Sequence, residues 1–261
     1  MDPMSRTQTA EEETANTILA EADRILTGAA EAGLTLCLTG SVAVYLMCPR
    51  HRSALVSLKR RAYHDLDFVG RAADQSRLAR FFASLGYLPD PSLIGSQEYG
   101  VKRLIFNGPT KVDVFLDEMD MAHCVKFSDR LRSGSPTVSW ADLMLSKLQI
   151  HELTDNDIKD LIVLIAEHDW SSCPDEDLGY LLTVLTNDWG FWYSATLNLI
   201  AVAVFLSHDT SLDGEQRRAV PELVELLRER LLIEPKTLRW RLRSRIGPRV
   251  QWYQEVDEVA R

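Results

Sequence analysis

The stretch Asp65-Leu66-Asp67-Phe68 decides how this chain is interpreted. Side chains alternate between the two faces of a β-strand, so Asp65 and Asp67 are expected on one face, with Leu66 and Phe68 on the other. Two neighbouring carboxylates repel each other, and a divalent cation between them relieves that repulsion. Ligand sets made only of oxygen suit Mg²⁺ or Mn²⁺. The stretch therefore predicts a strand with a metal-binding face.

A third carboxylate follows in a second strand-like run, Val112-Asp113-Val114-Phe115-Leu116. The same alternation predicts that Asp113 lies opposite Val112 and Val114 and can join the face of Asp65 and Asp67. Three aspartates that share one face are typical of a metal-dependent site for phosphoryl transfer.

A possible phosphate seat lies upstream of the aspartates. The β-type run 34–39 ends at Gly40-Ser41, and residues 42–47 have a helical pattern. A strand that leads through small residues into a helix start exposes backbone N–H groups, and both these groups and the helix dipole favour an anion. We therefore expect Gly40 and Ser41 to contact phosphate.

The order of patterns predicts an α+β fold. Strand, helix, strand, helix and then a hairpin around Asn107-Gly108-Pro109-Thr110 indicate a mixed sheet with flanking helices. From Ser139 onward almost every segment has helical periodicity. We expect an α/β domain over residues 1–138 and a helical domain over 139–261, packed against it. Helices are predicted at 9–32, 75–85, 140–153, from 155 onward, 176–187, 190–207, 216–232, 235–246 and 249–259, and a polar, basic loop at 49–61.

Composition indicates a globular protein, with 46% hydrophobic and 26% charged residues in 261. A net charge of −9 disfavours broad electrostatic binding to nucleic acid. The charge is uneven, because residues 217–249 carry ten Lys or Arg against four Glu. This basic segment leaves a tRNA end possible as a partner.

The cysteines and apolar runs suggest a cytoplasmic protein. Cys37, Cys48, Cys124 and Cys173 show no CxxC spacing and are interpreted as reduced and structural. The N-terminal stretch is polar and acidic, unlike a signal peptide. The apolar run 191–206 is shorter than the ~20 residues of a spanning helix and contains polar residues, so a buried core helix is expected and no membrane contact.

With these residues in place, the order of Gly40-Ser41, Asp65-x-Asp67 and Asp113 resembles the nucleotidyltransferase superfamily with the polymerase-β-like minimal fold. More narrowly, Arg61-Ala-Tyr-His-Asp65-Leu-Asp67-Phe resembles the Arg-x-Thr-x-Asp-Ile-Asp-Leu form of the AbiEii-type group. Lys111-Val-Asp113-Val resembles the second motif of that group. Leu145-Ser-Lys147-Leu, followed by Asp157-Ile-Lys159-Asp160-Leu161, resembles its helical motif.

The resemblance covers about residues 34–166. Tyr63 stands where the group usually has Thr, and the gap between Gly40-Ser41 and Asp65 is long.

The resemblance implies an enzyme that moves a nucleoside monophosphate from an NTP to a hydroxyl of a small molecule, a protein or a tRNA end. Asp65 and Asp67 would bind Mg²⁺ or Mn²⁺, and Asp113 would complete a second metal site and help to activate the hydroxyl. Gly40, Ser41, Arg61 and Lys147 would bind the nucleotide phosphates. Neither the base nor the acceptor follows from the sequence.

Two other interpretations remain. Asp-x-Asp also serves nucleotide-sugar glycosyltransferases and haloacid-dehalogenase-type phosphatases, but there it normally ends an apolar strand, whereas Arg60, Arg61, Tyr63 and His64 precede it here. The chain could instead be a non-catalytic relative that acts as a binding or regulatory module in a defence or toxin–antitoxin setting. Three intact aspartates argue against that interpretation, because unused carboxylates would repel one another to no benefit.

Overall fold

A computed structural model describes residues 3–90, 102–172 and 175–256. In these ranges the chain forms ten α-helices and seven β-strands, and five of the strands make one mixed sheet. The predicted α+β class is confirmed. Some predictions concern residues outside the described ranges: Cys173, the start of the predicted strand before the hairpin (98–101) and the end of the last predicted helix (257–259).

The strands are short and lie mostly in the first half of the chain. Their bounds are β1 (Leu36–Thr39), β2 (Asp65–Gly70), β3 (Leu88–Pro89), β4 (Arg103–Asn107), β5 (Lys111–Leu116), β6 (Glu118–Asp120) and β7 (Cys124–Lys126).

The helices dominate the second half. Their bounds are α1 (Pro3–Glu31), α2 (Gly40–Met47), α3 (Arg52–Ser57), α4 (Gln75–Ser84), α5 (Trp140–Leu148), α6 (Asp155–Glu167), α7 (Glu176–Asn187), α8 (Trp189–His208), α9 (Gln216–Ile233) and α10 (Leu238–Ser244).

The main sheet has the strand order β1-β2-β5-β4-β3, and β6 and β7 form a separate two-stranded sheet. β2 and β5 are parallel, and the other neighbours are antiparallel. The hairpin predicted around residues 107–110 joins β4 and β5. Parallel strands need a longer connection than a hairpin, and here it includes α4.

One face of the sheet is apolar and covered by helices. Leu66 and Phe68 of β2 and Val112 and Val114 of β5 are fully buried. Phe82 of α4 stacks on Phe106 with ring centroids 4.5 Å apart. Aromatic pairs of this kind add to the free energy that burial itself contributes. The alternate residues of the same strands, which include Asp67 and Asp113, lie on the opposite face.

The chain divides into two compact units. The sheet unit comprises residues 1–46, 61–119 and 126–138, and the helical unit comprises 47–60, 120–125 and 139–261. A division between residues 138 and 139 also follows from the sequence patterns. The segments 47–60 and 120–125, however, group with the helical unit, although they precede residue 138 in the sequence.

Two local predictions are wrong. The predicted loop 49–61 contains α3, because Ala54, Leu55 and Leu58 are buried at a helical spacing. In the predicted C-terminal helix, the described residues form a 3-10 turn at Gly247–Arg249 and no regular element from 250 to 256. The short strands β3, β6 and β7 have too few residues to show a periodic pattern.

Helix α8 is long and apolar enough, by length and composition, to cross a membrane. About 44% of its most apolar window is buried inside the fold. A single helix of this kind is weak evidence for a membrane span, because core helices have the same composition. The absence of a membrane contact stays a prediction.

Replacing Phe82 by Ala should lower the free energy of unfolding by about 3–5 kcal/mol, because a fully buried ring is lost from the stack with Phe106. Urea unfolding of the purified chain measures this. Leu88→Ala is the control in the same unit, since Leu88 is 70% exposed and should cost less than about 0.5 kcal/mol. Equal losses in both variants would contradict the assignment of the core.

Candidate active site

Three polar residues from three adjacent strands form one row on the face of the sheet opposite Leu66 and Phe68. Thr39 of β1 is the direct partner of Asp67 in β2, and Asp67 is the direct partner of Asp113 in β5. Neighbouring strands lie about 4.8 Å apart, and directly paired residues share a face. The structure therefore brings Asp67 and Asp113 together, as their spacing in the sequence predicts.

Asp65 lies on the same face, two residues before Asp67, and its partner in β5 is Lys111. Exposure decreases along this face. Asp65 is exposed and Asp67 is half-buried, whereas Asp113 and Thr39 are buried. The three predicted aspartates thus form one polar strip that is open to solvent at Asp65 and closed at Asp113.

The turn between β1 and α2 is shaped around Asp67. Gly40 has a φ of +67°, a left-handed conformation that side chains disfavour. A Cβ atom at Gly40 would lie 2.2 Å from Oδ2 of Asp67, which is closer than any real contact. Glycine is therefore required at this position both for its backbone and for the space that Asp67 occupies. Ser41 follows in the first turn of α2, which begins at Gly40 and not at residue 42 as predicted.

The site contains an arginine that the sequence analysis missed. Arg103 of β4 donates a hydrogen bond from Nη2 to Oδ2 of Asp113 over 2.5 Å, and its guanidinium lies 5.1 Å from the ring centroid of Phe115. The predicted hairpin could have located this arginine. When its turn is placed at residues 107–110, Arg103 of β4 pairs with Phe115 of β5 and lies diagonal to Asp113.

Three buried polar atoms around this row have no hydrogen-bond partner among the described residues. They are Oγ1 of Thr39, Oδ1 of Asp113 and Nε of Arg103. A buried polar group without a partner costs about 1–3 kcal/mol, so such atoms rarely gather by chance. Their position in one row is typical of a site that completes its hydrogen bonds or coordination with a ligand.

The donor chemistry of the row fits a hard cation. Hydroxyl and carboxylate oxygens, supplied here by Thr39, Asp67 and Asp113, are the ligands that Mg²⁺ and Mn²⁺ take. Oδ1 of Asp113, which has no hydrogen-bond partner among the described residues, is an oxygen ligand of this type. Among the described residues, however, no group of three or more His, Cys, Asp or Glu is arranged to hold a metal ion. Metal binding by Asp65, Asp67 and Asp113 remains a prediction.

Arg61 and Tyr63 precede the aspartates in the same unit. Arg61 is exposed, four residues before Asp65, and its contact with nucleotide stays a prediction. Tyr63, which departs from the Thr of the resembling group, is buried and packs edge-on against Tyr45 of α2 at 5.8 Å. The larger side chain thus contributes to packing beneath the turn that carries Gly40.

Lys147 belongs to the helical unit. Its ammonium forms ion pairs of 2.9 Å with Asp157 and with Asp160, and Asp160 also pairs with Arg60 at 2.9 Å. Although burial opposes the charged form, the Asp160 and Asp157 carboxylates hold the pKa of Lys147 above its ordinary value. These contacts give Lys147 a structural role. Its role in nucleotide binding stays a prediction.

Comparisons with known proteins add one finding. No family model matches the chain, and no curated protein matches it. Among solved structures it is similar to the solution structure of the antibiotic-resistance factor ANT(2″)-Ia, with 15% sequence identity and a TM-score of 0.41, over 65% of this chain and 91% of that one. A similarity this distant assigns neither a family nor an activity, so function has to be argued from the site.

Replacing Gly40 by Ala should disrupt the site, because the new Cβ would collide with the Asp67 carboxylate. Gly134→Ala is a matched control, since Gly134 also has a positive φ (+82°) but has no atom within 4 Å of the added Cβ. The control carries only the backbone strain, about 1–2 kcal/mol. Urea unfolding should show a clearly larger loss for Gly40→Ala. Equal losses would mean that Asp67 moves away without cost.

Replacing Lys147 by Met should lower the free energy of unfolding by about 3–5 kcal/mol, because it leaves the buried Asp160 and the half-buried Asp157 with one positive partner fewer. Lys59→Met, at an exposed position of the same unit, is the control. A loss as small as that of the control would show that the ion pairs contribute nothing.

The same variant has a pH signature. Burial raises the pKa of Asp157, but Lys147 and Thr154 outweigh burial and hold this pKa below its ordinary value of 3.8. Its contribution to stability is thus present above that pH and is lost as pH falls through the lowered pKa. In Lys147→Met this acid-dependent part of the unfolding free energy should shrink.

Proposed function

We propose that the chain is a metal-dependent nucleotidyltransferase, which moves a nucleoside monophosphate from an NTP to a hydroxyl of an acceptor. The observation that carries this proposal is the row of Thr39, Asp67 and Asp113 beside the Gly40 turn, in which Oγ1 of Thr39 and Oδ1 of Asp113 have no partner among the described residues. A strip of carboxylates beside a strand–turn–helix junction matches the demands of phosphoryl transfer, which needs positioning and neutralisation of charge.

Each residue has a defined part in this proposal. Asp65, Asp67 and Asp113 would hold Mg²⁺ or Mn²⁺, which supplies neutralisation of phosphate charge when bound. Ser41 and the N–H groups at the start of α2 would hold the β- and γ-phosphates, because a helix start favours anions. Arg61, which is exposed and belongs to the sheet unit, would add positive charge to the nucleotide contacts.

Asp113 would act on the attacking group. It would help to activate the acceptor hydroxyl and orient its oxygen toward the α-phosphorus. The new bond joins that oxygen to the α-phosphorus, the bond from the α-phosphorus to the bridging oxygen breaks, and pyrophosphate leaves. The hydroxyl proton passes to Asp113 or to water.

The acceptor is a small molecule, a protein or an RNA end. Arg239, Arg241 and Arg245 of the helical unit are exposed, and this supports a polyanionic acceptor such as a tRNA end. Cys37 and Cys48 are buried thiols, in keeping with a reducing cytoplasm as the location. Membership of the AbiEii-type group belongs to the same proposal.

A second candidate is a non-catalytic module that keeps the fold for binding or regulation, in a defence or toxin–antitoxin setting. The observation that favours it is the ion pair between Arg103 and Asp113, which gives this carboxylate a structural partner. A module of this kind would bind nucleotide without transferring it.

Incubation with each α-³²P-labelled NTP and Mg²⁺, alone and with total tRNA, separates the two candidates. The wild-type chain should transfer label. In Asp67→Asn the rate of transfer should fall by a factor of 10³ or more, which corresponds to about 4 kcal/mol of activation free energy. Asp23→Asn, an exposed aspartate on α1, is the control and should transfer normally. Full activity in Asp67→Asn would refute the assignment of the site.

Thermal unfolding with Mg²⁺ and NTP covers the case of an unknown acceptor. A ligand that binds only the folded chain stabilises it by about 2.7 kcal/mol at a hundredfold excess over its dissociation constant. Stabilisation without transfer would point to a small-molecule acceptor that the assay lacks. Neither stabilisation nor transfer with any of the four NTPs would overturn both candidates.

A further inference from the structure

We propose that Arg103 is a built-in counter-charge, which neutralises Asp113 until a cation binds there and moves to the triphosphate when nucleotide binds. Cation and nucleotide would then bind cooperatively, because each favours the release of Arg103 from Asp113. The counter-charge role stands on the geometry of the site, and only its nucleotide half rests on the proposed function.

The contact with Asp113 gives Arg103 the position of a counter-ion. The Asp113 side chain is only 6% exposed, so its charge needs a partner, and Nη2 of Arg103 lies 2.5 Å from Oδ2. Among the described residues, the Asp113 carboxylate forms an ion pair with Arg103 alone. The other oxygen, Oδ1, is buried and unpartnered. The carboxylate is thus half satisfied, with one oxygen left for a further ligand.

Arg103 has hydrogen-bond donors that the described residues do not use. A guanidinium has five N–H donors, and the described residues accept one hydrogen bond from it, at Asp113. Its Nε is buried without a partner, and the group otherwise lies over the face of Phe115. Its side chain is 29% exposed, so one side of it can reach solvent or a ligand. A planar guanidinium with unused donors matches phosphate oxygens, which it can bind with two parallel hydrogen bonds.

The balance of charge on this face explains the coupling. Asp65, Asp67 and Asp113 share the face with two cations, Lys111 and Arg103. A divalent cation that enters beside Asp113 meets repulsion from Arg103, so the cation alone should bind weakly. A triphosphate gives the guanidinium another anionic partner, and Asp113 is then available. By linkage, the nucleotide gains from the cation as much as the cation gains from the nucleotide.

Binding of Mn²⁺ to the nucleotide-free chain, followed by electron paramagnetic resonance, tests the counter-charge. Arg103→Gln and Arg103→Met should both bind Mn²⁺ at least tenfold more tightly than the wild type, because the competing charge is gone. Arg103→Lys keeps the charge and should stay near the wild-type affinity. Lys102→Gln is the matched control, since it removes the same charge from the next residue, whose ammonium pairs with Glu118 at 2.6 Å.

The nucleotide half is measured as the affinity for a non-hydrolysable NTP analogue with and without Mn²⁺. In the wild type Mn²⁺ should tighten the binding of the analogue at least tenfold, and the control Lys102→Gln should show the same gain. In Arg103→Met, which retains an apolar chain over Phe115, the gain should fall severalfold because no guanidinium reaches the phosphates.

The outcomes separate this inference from the proposed function. Unchanged Mn²⁺ affinity in both neutral variants would overturn the counter-charge, whatever the transfer assay shows. Tighter Mn²⁺ binding in them, with no nucleotide binding by any chain, would keep the counter-charge and refute the nucleotidyltransferase. If the neutral variants unfold in metal-free buffer, refolding on addition of Mn²⁺ supports the inference, and failure to refold overturns it.

Discussion

The parallel pairing of β2 with β5 is the interaction on which the candidate site depends. It places Asp67 directly beside Asp113, and the antiparallel pairing of β1 with β2 adds Thr39 to the same row. A shift of one residue in either pairing would turn these groups toward the apolar face. The buried residues on that face, Leu66, Phe68 and their partners in β5, oppose such a shift. The apolar core therefore sets the register that creates the polar site.

The buried carboxylates of Asp160 and Asp113 are paired in different ways. In the helical unit Lys147 and Arg60 surround Asp160, and each charged group faces an opposite charge at 2.9 Å. In the sheet unit Asp113 has one arginine on one oxygen, while buried polar atoms nearby lack partners. A complete network favours a fixed structure, and an incomplete one leaves room for a ligand. This contrast separates a structural cluster from a candidate functional one.

Sequence patterns predicted the elements whose residues alternate or repeat with a clear period. β2 and β5 follow from alternating polar and apolar residues, and α7 was predicted at its observed bounds, 176–187. The patterns failed where short-range composition and packing disagree. Residues 49–61 have the composition of a basic loop. Part of this segment nevertheless forms α3, because a helix buries Ala54, Leu55 and Leu58 on one side. At 250–256 a helical composition ends in chain without regular structure.

By itself the sequence determined the α+β class, the turn at Gly40-Ser41 and the face shared by Asp65 and Asp67, because these depend on local periodicity and backbone conformation. Only the tertiary structure decided which residues meet across strands. Thr39 and Arg103 join the row through pairings of β1 with β2 and of β4 with β5, and strand register depends on core packing far from either residue. The guanidinium at Asp113, and the conflict of Gly40 with any side chain, exist only once those strands are assembled.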